Sequence, residues 1–355
     1  MKAVWLDVDP VASKGHDDAI AILMAIHLHN INLLGVSTVH GNVAEEKTSV
    51  NAAKCLHAFS APPNIKVFRG AVKPLTRKAK AAPSIHGDSG LGGVVGLDFP
   101  GSPELVRFAH YDDGTPVPAL RGMANTIEKT WNGGAGHKVS VVSCGPMTNI
   151  ALFVSAYPEL LDAVEEFVFM GGGVGLGNYT PVAEFNIVCD PEAAQIVLDC
   201  PVKTVMVPLN VTHTAVATKN IHSRLCSAAN DEIVLPSTSL RKTLSSLITF
   251  FGDTYKEVFG FSDGPPLHDA LTIVYVSNPE LFKYKRYRVD IELHGEHTIG
   301  ETVVDLWDYK RCDETWGATG KNCIVLESLE VDKFFDTFFA CVERCDKTSP
   351  INIRQ

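Results

Sequence analysis

No Cys-x-x-Cys pair occurs among the nine cysteines, which are scattered and odd in number. That spacing speaks against a disulfide framework and predicts reduced thiols in a cytoplasmic protein. Positive charge is scarce: 31 Lys and Arg stand against 41 Asp and Glu, for a net charge of −10 and a pI near 5.7. A nucleic-acid or anionic-membrane surface is therefore not expected. No run approaches the roughly 18 apolar residues of a membrane span, and no signal-peptide pattern opens the chain. Without a secretory signal, the glycosylation patterns at Asn178-Tyr179-Thr180 and Asn210-Val211-Thr212 carry no weight. Repeats and low-complexity tracts are lacking too. What the 355 residues do hold is 45% hydrophobic content, ample for a sizeable core. No convincing boundary divides them, so one domain over residues 1–355 is the expectation.

The stretch from Trp5 to Ile26 organises the chain. Ala3-Val4-Trp5-Leu6 reads as a buried parallel strand, and Ala19 to Leu28 as a helix apolar on nearly every side. Between them stand Asp7, Asp9, Asp17 and Asp18. The carboxyl end of a first strand and the amino end of the next helix form the functional edge of an open α/β sheet. Acids crowded there repel one another unless a cation, a proton or ligand hydroxyls compensate. A hard divalent cation is the simplest resolution, because Ca²⁺ and Mg²⁺ take oxygen ligands. Helix-dipole stabilisation accounts for Asp17 and Asp18, but not for Asp7 and Asp9 beside them.

Further along, Ile31 to Val39 reads as a strand ending in His40-Gly41-Asn42, Ala44 to Phe59 as a helix and Ile65 to Phe68 as a short strand. This rhythm predicts an α/β fold: a parallel sheet with helices on both faces. From Pro83 to Pro118 no period holds. The segment is rich in Gly, Pro and Asp and contains His86, and its length and residues favour a lid over a linker. Regularity returns with a helix over Leu120–Trp131 and a strand over Lys138–Ser143 that runs into Cys144-Gly145-Pro146-Met147-Thr148-Asn149. A buried strand follows at Val164–Met170, closed by Gly171-Gly172-Gly173. No Lys-Ser/Thr pair comes after those glycines, so they are not a phosphate loop. Asp190-Pro191 starts a helix, Thr204–Val207 is a strand, and Leu235–Val258 is mostly helix. Leu267-His268-Asp269-Ala270 begins another helix, Arg288–Leu293 and Glu301–Leu306 form a hairpin at the sheet edge, and Val331–Arg344 is a terminal helix.

These blocks resemble the inosine–uridine nucleoside hydrolase family from Val4 to about Leu293. Asp7-Val8-Asp9-Pro10 and then Gly15-His16-Asp17-Asp18-Ala19 are similar to its amino-terminal DxDPGxDDA signature. Gly41-Asn42, Gly145-Pro146-Met147-Thr148-Asn149, Glu184-Phe185-Asn186 and His268-Asp269-Ala270 match its later blocks in the right order. The resemblance implies an open, mostly parallel, Rossmann-like sheet and hydrolysis of ribonucleosides, uridine or inosine, to free base and ribose. It implies a Ca²⁺ held by Asp9, Asp18, Asp269 and the carbonyl of Cys144, an all-oxygen shell with room for water and two ribose hydroxyls. A metal-bound water is then expected to yield its proton to Asp9 and attack ribose C1′ through an oxocarbenium-like state, as in inverting glycoside hydrolysis. Asp17 and Asn42 are implied near the 2′- and 3′-hydroxyls, and Asn178, Glu184 and Asn186 on the 3′/5′ side. Turn and capping chemistry also accounts for Asn42, Glu184 and Asn186. His268 is the first candidate to protonate the leaving base and His86 the second, while His213 and His222 read as structural or surface residues. A homodimer or homotetramer is implied, with a small-molecule ribonucleoside as partner and no nucleic acid or membrane.

One departure stands out. The family pattern runs directly from Pro to Gly, whereas Val11-Ala12-Ser13-Lys14 separates Pro10 from Gly15 here. A misplacement of about 1 Å can cost catalysis about 10²-fold. Either the insertion bulges outward and spares the site, or it swings Asp9 away and leaves a nucleoside-binding relative with impaired catalysis. A different class is also open: Asp7-Val8-Asp9-Pro10-Val11 fits the DxDx[TV] motif of haloacid-dehalogenase-type phosphatases, with Asp7 as nucleophile and Mg²⁺ as cofactor. That reading leaves Asp17-Asp18 and the His268-Asp269-Ala270 block unexplained.

Overall fold

The computed structural model describes residues 1–10, 16–42, 44–79, 107–226 and 236–352. The insertion Val11–Lys14, His86 and most of the expected lid lie outside the described residues. Strand β1 (Lys2–Val8) is buried from Ala3 to its end and sends its side chains to opposite faces. Val4, Leu6 and Val8 enter one hydrophobic cluster, and Ala3 and Trp5 enter a second on the other side. Helix α1 (His16–His27), β2 (Ile31–Thr38), α2 (Glu45–Ala58) and β3 (Val67–Arg69) follow, with β2 parallel to β1 and β3 parallel to β2.

The chain then returns to the other side of β1. Helix α3 (Ala119–Trp131) leads into β4 (Val139–Ser143), α4 (Thr148–Ala156) and β5 (Val164–Met170). Next come α5 (Phe185–Cys189), α6 (Pro191–Leu198), β6 (Thr204–Val207), α7 (Leu209–Thr212), α8 (Lys219–Cys226) and α9 (Ser239–Phe259). The chain ends with α10 (Ala270–Ser277), β7 (Phe282–Tyr287), β8 (Val289–Ile291), β9 (Thr302–Val304), β10 (Cys323–Leu329) and α11 (Val331–Thr348). The main sheet has eight strands in the order β3-β2-β1-β4-β5-β6-β10-β7, all parallel except β7 against β10. Strand order therefore reverses between β1 and β4, the switch point at which open α/β sheets bind ligands.

Local chemistry explains the helix ends. Asp190 accepts from Ala193 N at 3.2 Å and Pro191 occupies the first helical position of α6. Thr238 caps α9, and Gly260 closes it in the left-handed region at φ 75°. Helix α10 is buried along its whole length, as its apolar sequence requires. Phe334, Phe335, Phe338 and Phe339 line the inner side of α11, which packs on α1.

Two features differ from the sequence expectation. The hairpin forms, but β8 and β9 pair with each other as a separate two-stranded sheet and leave the main edge to β7. The sequence expectation also lacks two strands of the main sheet, β7, whose Phe-Lys-Tyr-Lys-Arg-Tyr run is short and carries the charges of an exposed edge, and β10, whose Cys-Ile-Val-Leu run inserts between β6 and β7. Of the segment 83–118, the described residues 107–118 fold back beside β3, where Ala109 N donates to Val67 O at 3.0 Å and Phe108 and Pro118 form bridges.

Candidate active site

The register of β1 sets Asp7 opposite Ser37 of β2 and Ser143 of β4. Asp7 Oδ1 accepts from Ser37 Oγ at 2.5 Å and from Asn149 Nδ2 at 2.8 Å, and Trp5 Nε1 donates to Ser37 Oγ at 2.8 Å. Burial pushes the Asp7 carboxyl up to about 7. Two residues on, Asp9 Oδ2 accepts from the main-chain N–H of Asn42 at 2.9 Å. Asp7 Oδ2 and Asp9 Oδ1 are buried without a hydrogen-bond partner. The turn around Asp9 is tight: a Cβ on Gly41 would stand 2.1 Å from Asp9 Oδ2, and one on Gly145 would stand 2.8 Å from Oδ1. Only glycine admits the carboxylate at those two positions.

Asp17 and Asp18 come from the first turn of α1, and Asp269 stands immediately before α10. One carboxylate oxygen from each lies within 4.8 Å of the others. Asp9 joins this group through its N–H, which donates to Asp18 Oδ1 at 3.2 Å. Burial first, and the charge of Asp18 second, hold the Asp9 carboxyl well above the usual range. Asp18 and Asp269 are raised by burial and then by the charge of Asp17. Convergent buried carboxylates with an orphaned oxygen make a donor set suited to a hard divalent cation. Cys144 O, at the end of β4, accepts from Asn186 Nδ2 at 2.9 Å and keeps its second lone pair. The residues present therefore fit a cation. The tight group is Asp17, Asp18 and Asp269: Asp17, expected on ribose, lies within it, and Asp9, expected as a ligand, adjoins it through its N–H to Asp18.

On the other side of the switch point, Glu184 caps α5. Its Oε1 accepts from Asn186 N at 3.0 Å and its Oε2 from Gly172 N at 3.0 Å and Ile187 N at 3.2 Å. The capping role anticipated for Glu184 is thus present; Oε2 already accepts twice, and Oε1 keeps lone-pair capacity for a hydroxyl. Burial raises its carboxyl to about 7. Asn178 Oδ1 accepts from Phe185 N at 2.9 Å. The Asn186 amide also donates to Met170 O at 3.1 Å, which leaves Oδ1 as its acceptor.

His268 is buried between two hydroxyls that the sequence did not reveal. Its Nδ1 pairs with Thr212 Oγ1 at 2.7 Å and its Nε2 with Tyr255 OH at 2.9 Å. Burial raises the Tyr255 hydroxyl well above its usual range, which keeps it a donor at neutral pH. His213, read from sequence as structural or superficial, lies edge-on to His268 at 5.5 Å and to Phe261 at 5.1 Å. Nothing in the local sequence marks Tyr255 as a site residue, because helix α9 carries it to His268 from 13 residues away.

Asp7, which a phosphatase of the haloacid-dehalogenase type would use as nucleophile, is fully buried with Oδ1 already engaged. Residues 4–336 match the family model described as inosine-uridine preferring nucleoside hydrolase. The chain is 36% identical to a probable ribonucleoside hydrolase of Dictyostelium discoideum over 96% of this chain and 94% of the relative. It is 39% identical to a pyrimidine-specific ribonucleoside hydrolase of Salmonella paratyphi A over 86% of this chain and 88% of that protein. Among solved structures, a purine-preferring ribonucleoside hydrolase from Gardnerella vaginalis superposes with a TM-score of 0.80 at 26% identity, covering 98% of this chain and 99% of that one. A plant nucleoside hydrolase does so with a TM-score of 0.77 at 25% identity, over 97% and 99%. The chain belongs to the inosine-uridine preferring nucleoside hydrolase family. It is a ribonucleoside hydrolase, and the phosphatase reading falls with that result.

Proposed function

We propose that the protein hydrolyses ribonucleosides, the pyrimidine nucleoside uridine in preference to the purine nucleoside inosine, with Ca²⁺ as its cation and Asp9 as general base. The observation that carries this reading is the convergence of the Asp17, Asp18 and Asp269 carboxylates at the switch point, beside Asp9, whose N–H donates to Asp18 and whose Oδ1 is buried and unpartnered. Asp9, Asp18, Asp269 and the Cys144 carbonyl would hold the ion. When bound, it supplies Lewis acidity to water and charge compensation to the carboxylates around it. Asp9 accepts the proton of the attacking water, with its other oxygen fixed by Asn42 N–H. Asp17 and Asn42 bind the 2′- and 3′-hydroxyls, while Asn178, Glu184 and Asn186 bind the 3′/5′ side. A site of this kind disfavours 2′-deoxynucleosides, because it would keep an unpaired buried partner.

His268 serves the departing base, with Tyr255 relaying on its Nε2 side and Thr212 fixing the ring on the other; His86 remains a second candidate for the same task. The nine cysteines form no disulfide, which fits a reducing compartment such as the cytoplasm, and among the described residues no helix is long and apolar enough to cross a membrane. A homodimer or homotetramer is the proposed assembly. The test is ribose release from purified protein on uridine and inosine. Uridine should give the higher kcat/KM, in keeping with the pyrimidine-specific relative, and a clear preference for inosine would overturn the base assignment. In the same assay His268→Ala should lower kcat by about 10²- to 10⁴-fold, the range of a lost proton donor. A change under about threefold would remove His268 from the chemistry.

A further inference from the structure

The hairpin β8–β9 stands apart from the main sheet, yet it touches the segment between β5 and α6 at three points. Thr302, the first residue of β9, is buried, and its hydroxyl accepts from Gly173 N at 2.9 Å and donates to Gly173 O at 2.6 Å. One side chain therefore satisfies both backbone groups of Gly173, just beyond the end of β5. Glu301 forms an antiparallel bridge to Ala183, whose carbonyl accepts from the N–H groups of Asn178, Tyr179 and Thr180. Gly300, at φ +83°, lies so close to Val188 of α5 that a Cβ there would stand 2.9 Å from Val188 Cα. These contacts bracket Asn178 and Glu184 from both sides.

The same turn is fastened from the opposite direction. Asn210 of α7 accepts from Val174 N at 2.8 Å and donates to Val174 O at 3.2 Å, and Glu184 accepts from Gly172 N. Three successive backbone amides, Gly172 to Val174, are each held by a side chain from a different element. Backbone groups held in this way cannot shift without leaving polar atoms unpaired, so the turn is fixed in place.

We infer that the hairpin is the support of the ribose-binding segment and that Thr302 is a positioning residue for the reaction, acting through Gly173 on Asn178 and Glu184. The inference rests on the proposal that Asn178, Glu184 and Asn186 bind the 3′/5′ side of ribose. A buttress of this kind controls substrate binding rather than the chemistry at C1′, because Asp9 and Asp18 are held by contacts that do not involve the hairpin.

The experiment compares uridine with 5′-deoxyuridine on the Ca²⁺-loaded enzyme. Thr302→Val keeps the shape and removes the hydroxyl. It should raise KM for uridine about tenfold with kcat within about threefold, and reduce the preference for uridine over 5′-deoxyuridine by a similar factor. Thr302→Ser, which restores the hydroxyl, should return both values to the wild-type range. The exposed Asn210→Ala offers the same readout with a smaller shift should Thr302→Val fail to fold. Unchanged KM and unchanged discrimination in the folded variants overturn the buttress alone. A fall in kcat with discrimination intact overturns it too, since a merely structural loss would act in that way. A wild-type enzyme indifferent to the 5′-hydroxyl overturns the ribose assignment and the buttress with it.

Discussion

Asp9→Asn will lower kcat for ribose release by about 10³-fold or more while leaving KM within about threefold. General-base catalysis contributes about 10²- to 10⁴-fold, and this position also carries a proposed cation contact, so the loss falls at the upper end. Geometry makes the substitution more severe than a neutral swap. The Asn42 N–H needs an acceptor and will select the amide oxygen of the new side chain for the place of Oδ2. The amide nitrogen then occupies the place of Oδ1, the buried and unpartnered oxygen, and presents a donor where the water must find an acceptor. Removing one member of a mutually repelling acid group should also raise the Tm of the cation-free protein. Ribose release within about tenfold of wild type would eliminate Asp9 as the base.

Chelation will abolish ribose release, by about 10²-fold or more, and will make stability depend on pH in a particular direction. Burial raises Asp7 from 3.8 to about 7 and Glu184 from 4.5 to about 7, and it raises Asp9, Asp18 and Asp269 well above the usual carboxylate range. The cation-free folded state thus binds more protons than the unfolded chain between about pH 4 and 7. Stability from these groups is complete below the unfolded values and is lost as pH rises through the folded ones. The chelated protein should therefore lose about 5 °C or more of Tm between pH 5 and pH 7.5, given about 2–4 °C per kcal/mol in sizeable domains. Added Ca²⁺ should recover more at pH 7.5 than at pH 5, because binding must displace those protons. Differential scanning fluorimetry across this range checks it. A chelated Tm flat or rising with pH, together with full activity in chelator, would remove the cation from the proposal.

Much of the fold was legible because it is written locally. Val164–Met170 and Thr204–Val207 emerge with the bounds the sequence suggested, since short apolar runs between turn residues specify buried strands. The acid pairs were equally plain, because the helix dipole explains Asp17 and Asp18 but nothing local explains Asp7 and Asp9 at the end of a buried strand beside them. The hairpin was legible as a pair and misplaced as an edge. Its own register fixes β8 against β9, but nothing local states which surface it will cover. The role of Asn42 was half legible: Gly41-Asn42 reads as a turn, and the turn brings its N–H onto Asp9.

By itself the sequence determined the parallel α/β core, the order of the motif blocks and the acids of the candidate site. Tertiary structure alone decided how those parts meet. It placed β10 between β6 and β7, grouped Asp17 and Asp18 with Asp269, and brought Thr212 to His268 across 56 residues and Thr302 to Gly173 across 129. The physical reason is one of range. Hydrophobic periodicity and capping act over a few residues, whereas a hydroxyl that pairs with a distant ring or amide is chosen by the packing of whole elements. A threonine in the sequence looks the same whether it meets water or holds a buried turn.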